Sequence, residues 1–565
     1  MNAAGKDIVD ARTARASVLN QSPVFQGHNA YEADPALVRM TEHLPRGVQD
    51  SLHALGQWVG SPEAYELARL ANSEKPRLKT HDAKGNRLDL VEYHPAWHAL
   101  MRKGVANGLH CSIWDDNEDE QGNRNFIRAA RYVLTAGTES GHLCPLTMTN
   151  ACVAALMATP AVLNQWLPQI RSRKYDSSQR PVNHKAGILI GMGMTEKQGG
   201  TDVRANISTA DEVGQGLWRI NGHKWFMSAP MCDAFLVLAQ VVALDEGHAI
   251  TGQPSCFLVP RHLPDGARNG MHLQRLKDKL GNCSNASSEV EFNDSFGFLI
   301  GEAGKGLRTI LEMVTLTRLD CASSSAGLMR AALAEAVHHC RHRQAFGKRL
   351  IDQPIMTRVL ADMVLDSTAA TALALRLAQS FDMTGMDKSE AAYSRLMTPV
   401  VKYWVCKTAP ILIGEAMECL GGNGYVEEGN LARLYREAPV NAIWEGSGNV
   451  MCLDVLRVIH KSPQTLDLVL SGLERDLGSN AARLLDVLRA AADVAMSDQG
   501  SARIFTEQLA LTAAAAELRR SFGGELADAF IESRLGGPWR ATYGMLDARY
   551  NARGIVDYAC PAQPA

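Results

Sequence analysis

The chain has 565 residues, 46% hydrophobic and 21% charged, the composition of a soluble globular protein with apolar material for several cores. A formal charge of −3 excludes a molecule whose whole surface is a basic nucleic-acid coat, and the absence of any run of about 18 apolar residues excludes a helical membrane span. The twelve cysteines include no C-x-x-C pair, which predicts reduced, mostly buried thiols; the N-terminus MNAAGKDIVDARTARAS lacks a signal-type apolar stretch, so a cytoplasmic protein is expected.

Residues 1–50 are polar and interrupted and read as an N-terminal arm, disordered or used in subunit contacts. Residues 51–184 read as an α-helical domain. ELARLANSEKP (66–76) ends at a proline, and HPAWHALMRKGVANGLHCSIW (94–114) starts from one. The stretch 126–157 reads as two helices broken at Ser140-Gly141 and restarted near Pro145, since proline is tolerated in a first helical turn. The texture then changes to short apolar runs separated by turn residues, and 185–300 reads as a β domain, a small barrel or sandwich. Its strands are expected in AGILIGMGMTE (186–196), WRINGHKWFMS (218–228), AFLVLAQVV (234–242), SCFLVP (255–260) and SSEVEF (287–292), with Asn221-Gly222 as a hairpin turn.

Long amphipathic patterns return over 306–343, 353–381 and 391–420. With the helix expected after Gly448 they predict a four-helix bundle over 301–461. The Ala-, Leu- and Arg-rich remainder, 462–565, reads as an additional helical domain. The fold class is therefore α+β and multidomain, in the order α, β, α, α.

Within the bundle, LARLYREAPVNAIWEGSGNVMCLDVLR (431–457) sets Glu445 after Ile443-Trp444 and before a Gly446-Ser447-Gly448 turn that opens a helix. A carboxylate beside Trp and Ile is poorly solvated, which raises its pKa towards that of a general base. The amides of the turn offer an anion site at the helix N-terminus. The alternative is a Glu near a helix start stabilised by the dipole.

Several motifs, in order over roughly residues 60–460, resemble the acyl-CoA dehydrogenase flavoprotein superfamily. The arm VLNQSPVF, LCPLTMT, GMGMTEKQGGTDV, RLKDKLGNCSNASSEVEF and NAIWEGSGN are closest to its adaptive-response, AidB-type branch. The resemblance implies an acyl-CoA dehydrogenase-like fold and an FAD cofactor. Met194, Thr195, Gly200 and Thr201 would wrap the flavin and a phosphate, glycine letting backbone amides approach a planar ligand. Phe226 and Ser228 would flank the flavin ring, with Trp225 adjacent. Arg343 and Phe346 of R-x-x-F-G, with Gln353, would meet the FAD diphosphate and a subunit interface. Gly421, Gly422 and Gly424 of LGGNGY would contact FAD from a neighbouring subunit, which implies a homotetramer, a dimer of dimers. Ser447 would complete the cofactor site.

Glu445 matches the family's base in its Glu-Gly-Thr/Ser turn. It would take the α-proton of an acyl-CoA thioester while flavin takes a hydride from the β-carbon. The alternative base position, before Arg318, is Thr317 here. Asp320 and Arg318 are placed in the substrate pocket, and Arg457 matches a basic residue proposed to project into the acyl pocket of the branch.

The same branch is linked with double-stranded DNA and the DNA alkylation response through its C-terminal domain. Over 462–565 the sequence holds 10 Arg, no Lys and 13 Asp or Glu, a formal charge of 10 − 13 = −3. Phosphate binding needs a basic excess, so only a local patch from Arg519, Arg520, Arg534 and Arg540, with Arg549 and Arg553, could serve. No metal site is expected: His338 and His342, one helical turn apart, are two ligands at most. Lys277 and Lys279 read as a phosphate loop or a plain surface turn. Three functions follow: an AidB-type acyl-CoA dehydrogenase-like oxidoreductase, a metabolic acyl-CoA dehydrogenase with a structural extra domain, or a DNA-binding protective flavoprotein with little catalysis.

Overall fold

The computed structural model describes residues 20–115, 122–245, 248–536 and 549–561. The first layer is helical: α1 Pro35–Thr41, α2 Arg46–Val59, α3 Pro62–Ser73, α4 Pro95–Ala106, α5 Arg124–Ala136, α6 Leu143–Leu156 and α7 Pro160–Ile170. Asp34 and Ser61 cap α1 and α3 by accepting from the amides of Leu37 and Ala64, and both helices begin on a proline whose missing N–H needs no partner. Helix thus starts at Pro35, inside the stretch read as an arm. Residues before it lie along the bundle: the Asn20 side chain brackets the backbone of Gln344, and Phe25 stacks on His28 and tilts against His338.

A hairpin, β1 Arg77–His81 with β2 Arg87–Glu92, interrupts the segment read as helical. Asp82 closes its turn by accepting from the amides of Lys84 and Asn86, and Gly85 supplies a φ of +82°. Neither strand carries an apolar run long enough to announce it.

The β domain is a barrel. Strands β4 Thr209–Gly214, β5 Leu217–Ser228, β9 Ser287–Ile300, β7 His248–Pro260 and β6 Ala234–Asp245 form a ring, since β7 pairs with both β9 and β6 and β4 bridges β6 to β5. β3 Ile190–Gly193 adds to β6 in parallel, and β8 Met271–Leu276 adds to β9. Asn221-Gly222 is not the turn of a hairpin. β5 runs straight through it, and the register with β9 shifts between Ile220 and Gly222. Gly222 lies at φ +142°, and a Cβ there would come within 2.3 Å of Ser208 Oγ. The dipeptide therefore marks a bulge and a close approach, while the β4–β5 turn is made by Gly214, Gln215 and Gly216, all at positive φ.

The bundle consists of α8 Leu311–His342, α9 Pro354–Met383, α10 Lys388–Leu420 and, after the short α11 Leu431–Glu437, α12 Gly448–Lys461. The remaining helices are α13 Gln464–Leu477, α14 Ala481–Ser497, α15 Ala502–Phe522, α16 Gly524–Leu535 and α17 Ala552–Ala559. They are not hung on a linker. Leu473, Phe505, Phe530 and Ile555 belong to the same buried core as Leu365, Leu373 and Trp404 of the bundle, and Trp404 meets Phe530 edge to face at 6.2 Å. A second core joins the barrel to α6, α7 and the start of α8 through Ile310 and Met313. All twelve cysteines are free thiols and eleven are buried. No helix among the described residues is long and apolar enough to cross a membrane.

Candidate active site at the seam of barrel and bundle

Glu445 lies in the turn that leads into α12. Trp444 before it packs against the barrel-side core, whereas Ile443 is 66% exposed. The expected apolar enclosure by Ile443 is thus absent, and polar groups hold the turn that carries the carboxylate. Thr317 Oγ1 on α8 donates to Glu445 Oε2 at 2.7 Å. Arg318 Nε donates to the Glu445 carbonyl at 3.1 Å. Lys402 Nζ, from α10, donates to the carbonyls of Trp444 and Gly446 at 2.8 and 2.5 Å.

Glu445 itself sits at φ +57°. For a residue with a Cβ this costs roughly 1–2 kcal/mol. Hydrogen bonds from charged donors contribute roughly 1.5–3 kcal/mol each, so the three to consecutive carbonyls outweigh the strain. The turn is held by two cations from two different helices.

The neighbouring charges are ordered around Asp454 on α12. Its carboxylate accepts from Arg318 at 2.7 Å and from Arg395 and Arg457 at 3.3 Å; burial would raise its pKa, but Arg318 and Arg395 draw it below the ordinary value. Arg457 therefore points to Asp454, not to Glu445, and its side chain is 58% exposed. Asp320 does not join the group either. It is buried in a bidentate pair with Arg128 at 2.6 and 2.7 Å and accepts from Thr147 at 2.7 Å. Placing Asp320 in the pocket failed because α8 turns that side chain towards α5.

On the barrel side, the loop from Met194 to Thr201 follows β3. Its anchor is Glu196, which the sequence reading passed over. Glu196 is fully buried, accepts from Lys224 Nζ at 2.7 Å and from the amides of Ile207 and Ser208, and these contacts hold its carboxyl down to about 2. Thr195 O accepts from the Trp225 amide at 2.9 Å, and a Cβ on Gly200 would strike Thr195 Oγ1 at 2.4 Å. The loop thus lies close on itself beside β5, with Thr201 exposed. Phe226 is 50% exposed, and Ser228 Oγ lies 3.2 Å from Ser287 Oγ. Cys144, at the start of α6, contacts Ser228 and lies within electrostatic reach of Glu445; burial pushes its thiol up to about 11. Barrel and bundle halves meet there.

Lys277 and Lys279 are neither a phosphate loop nor a plain surface turn. Lys277 Nζ pairs with Glu289 at 2.6 Å and lies 3.3 Å from the Trp225 ring centre. Lys279 donates to Asn285 O and Ser287 Oγ. Ser447 caps α12 without a side-chain bond to the helix, leaving its exposed hydroxyl open to a ligand.

The other residues expected at the cofactor gather elsewhere. Arg343 ends α8, 26 residues beyond Thr317, or about 39 Å at 1.5 Å per residue. It donates to Asn20 O. Phe346, at φ +51°, is 99% exposed at the tip of a short hairpin, and Gln353 donates to Ala345 O at 3.0 Å. Gly421, at φ +61°, ends α10, Gly422 opens the next short helix, and Gly424 packs on Met417. These residues lie too far from Glu445 to hold the same dinucleotide within one chain. The donor set fits a flavin dinucleotide in two parts: a loop and exposed aromatic ring beside the base, and an arginine with a glycine turn at the opposite end of the bundle.

Five of the six arginines expected to form a basic patch pair with carboxylates. Arg534, half-buried, lies between Asp362 and Asp366, and Arg520 pairs with Glu517 at 2.9 Å. Arg519 pairs with Asp528, Arg549 with Glu532, and Arg553 with Asp352 and Asp557. Arg540 lies outside the described residues. Arg534 leaves no free charge for a phosphate, since its guanidinium is held by both Asp362 and Asp366. His338 bonds Pro23 O and His342 bonds the carbonyl of His338.

Thr317, Lys402, Asp454, Glu196 and Lys224 were missed. The available signal was a lone lysine inside an apolar run, VVKYWVC for Lys402 and WFMS-flanked Lys224, since a buried lysine needs a specific partner.

Comparison with known proteins identifies the domains. Residues 20–177 match the adaptive response protein AidB N-terminal domain, 191–295 the acyl-CoA dehydrogenase middle domain and 304–460 the acyl-CoA dehydrogenase C-terminal domain. The AidB protein of Escherichia coli (strain K12) is 45% identical over 527 residues, 92% of this chain and 94% of that one. The Caenorhabditis elegans ACDH-11 structure in complex with C11-CoA has a TM-score of 0.77 and 27% identity, covering 98% of this chain and 95% of that one. An acyl-CoA dehydrogenase from Bacillus anthracis complexed with FAD shares the fold, with a TM-score of 0.61 and 17% identity over 77% of this chain and 79% of that one.

Proposed function

We propose that this chain, which belongs to the acyl-CoA dehydrogenase family in its AidB branch and binds FAD, oxidises an acyl-CoA thioester between its α and β carbons with Glu445 as the base. The observation that carries the reading is the Glu445 turn: a carboxylate at the seam of barrel and bundle, held by Thr317, Arg318 and Lys402. Thr317 occupies Oε2 and leaves Oε1 to accept the α-proton. FAD, when bound, supplies the acceptor for the β-hydride. Met194, Thr195, Gly200, Thr201, Phe226, Ser228 and Ser447 hold the flavin end.

Arg343, Phe346, Gln353, Gly421, Gly422 and Gly424 hold the dinucleotide of a neighbouring copy. The separation of about 39 Å along α8 and the fully exposed Phe346 support this, and with it a homotetramer. The protein is a cytoplasmic enzyme in this reading, and Arg457 leaves the pocket to Asp454. The metabolic reading gains from that; the DNA-protective reading loses from the paired C-terminal arginines.

The test is an anaerobic absorbance titration of the holoprotein with butyryl-, octanoyl- and palmitoyl-CoA, beside Glu445→Gln. Bleaching of the flavin band in the parent and none in the variant, at equal FAD content, is expected. Bleaching by Glu445→Gln at the parental rate would reject Glu445 as base.

A further inference from the structure

Lys402 stands out because its position is unfavourable. It is 1% exposed, deep in α10, and among the described residues no carboxylate pairs with it. A buried ammonium with no counter-ion is a stability liability, and an apolar side chain would suit the bundle better. Its bonds go only to main-chain carbonyls, those of Trp444 and Gly446, which flank Glu445 on either side. The carbonyl between them, that of Glu445, accepts from Arg318 Nε, whose guanidinium is steadied by Asp454 at 2.7 Å. Three successive peptide planes are thus turned by two cations, and the residue whose backbone they enclose is the one at φ +57°.

We infer that Lys402 is a positioning residue for Glu445, fixing the peptide planes on both sides so that the carboxylate meets Thr317 and faces the substrate. The inference rests on the proposed role of Glu445 as base. Without the ammonium, the carbonyls of Trp444 and Gly446 lose their shared donor and the turn relaxes out of the left-handed region. The carboxylate then moves relative to the α-carbon, and a displacement of about 1 Å can cost on the order of 100-fold in rate.

The experiment follows exchange of the substrate α-proton in D2O by mass spectrometry, with butyryl-, octanoyl- and palmitoyl-CoA as probes. Parent holoprotein is compared with Lys402→Met, Lys402→Gln and Glu445→Gln. Exchange reports proton abstraction alone. Lys402→Met is expected to slow it by about 100-fold, with FAD content and acyl-CoA affinity within about threefold of the parent, a loss in kcat and not in KM. Glutamine is one atom shorter and can hold one of the two carbonyls, so Lys402→Gln is expected to lose less, about tenfold. Parental exchange in either lysine variant, folded and with full FAD, overturns the inference while leaving Glu445 as base. Should Lys402→Met fail to fold, Lys402→Gln decides alone. Parental exchange in Glu445→Gln, or none in the parent with any probe, removes the base assignment and the inference together.

Discussion

Replacing Glu196 by glutamine tests whether the flavin loop hangs on one buried ion pair. The substitution preserves shape but strips the charge opposite Lys224, leaving its ammonium with the carbonyl of Leu238 and an amide oxygen. Stranding one partner of a buried pair costs about 3–5 kcal/mol. The Lys224 ammonium and the loop amides draw the Glu196 carboxyl down to about 2 against an ordinary 4.5, while burial draws the Lys224 ammonium's pKa down as well, so the pair holds only as long as both charges stay together. Because the native pKa is depressed, the contribution is fully present above about pH 4.5 and is lost as pH falls towards about 2.

Urea midpoints by tryptophan fluorescence and FAD retention after gel filtration would measure the effect. Glu196→Gln should lower the midpoint and shed FAD, because Thr195 to Thr201 lose their anchor. Adding Lys224→Met should recover part of the loss, since the double variant strands no charge. The reasoning is refuted by a Glu196→Gln protein that unfolds with the parent at pH 7 and keeps its FAD, or by losses that simply add in the double variant.

Arg534→Ala should destabilise by about 3–5 kcal/mol, because it leaves Asp362 and Asp366 without their guanidinium; a Tm equal to the parent's would return this arginine to the candidate surface contacts. Phe346→Asp should leave the monomer fold intact, since the ring is 99% exposed, while sedimentation shifts to smaller species. An unchanged sedimentation profile would exclude Phe346 from a subunit interface.

Much of the architecture follows from local pattern. Long apolar periodicity specified α8, α9 and α10 to within a few residues, because a helix face repeated over eight or nine turns leaves no competing period. The barrel strands β6, β7 and β9 were legible as short apolar runs bounded by turn residues, although β7 begins seven residues earlier and β9 ends eight residues later than those runs. Short elements were not: β1 and β2 are held by a turn and by packing on neighbours, and Asn221-Gly222, a strong hairpin signal in isolation, became a bulge because β9 continued past it. Propensity is local, and pairing is decided by the partner.

The sequence by itself determined which residue types stand where: a Glu-Gly-Ser turn before a helix, a glycine-rich loop after a strand, an arginine at the end of a long helix. Only the tertiary structure decided what faces them. Asp320 was expected in the pocket and Asp454 was not, yet Asp320 on α8 is spent on Arg128, while Asp454 on α12 gathers Arg318, Arg395 and Arg457. Lys402 reads as an anomaly in an apolar helix until α10 sets its ammonium beneath Glu445. The direction of a side chain depends on helix rotation and on partners hundreds of residues away, and neither is encoded within the span of a motif.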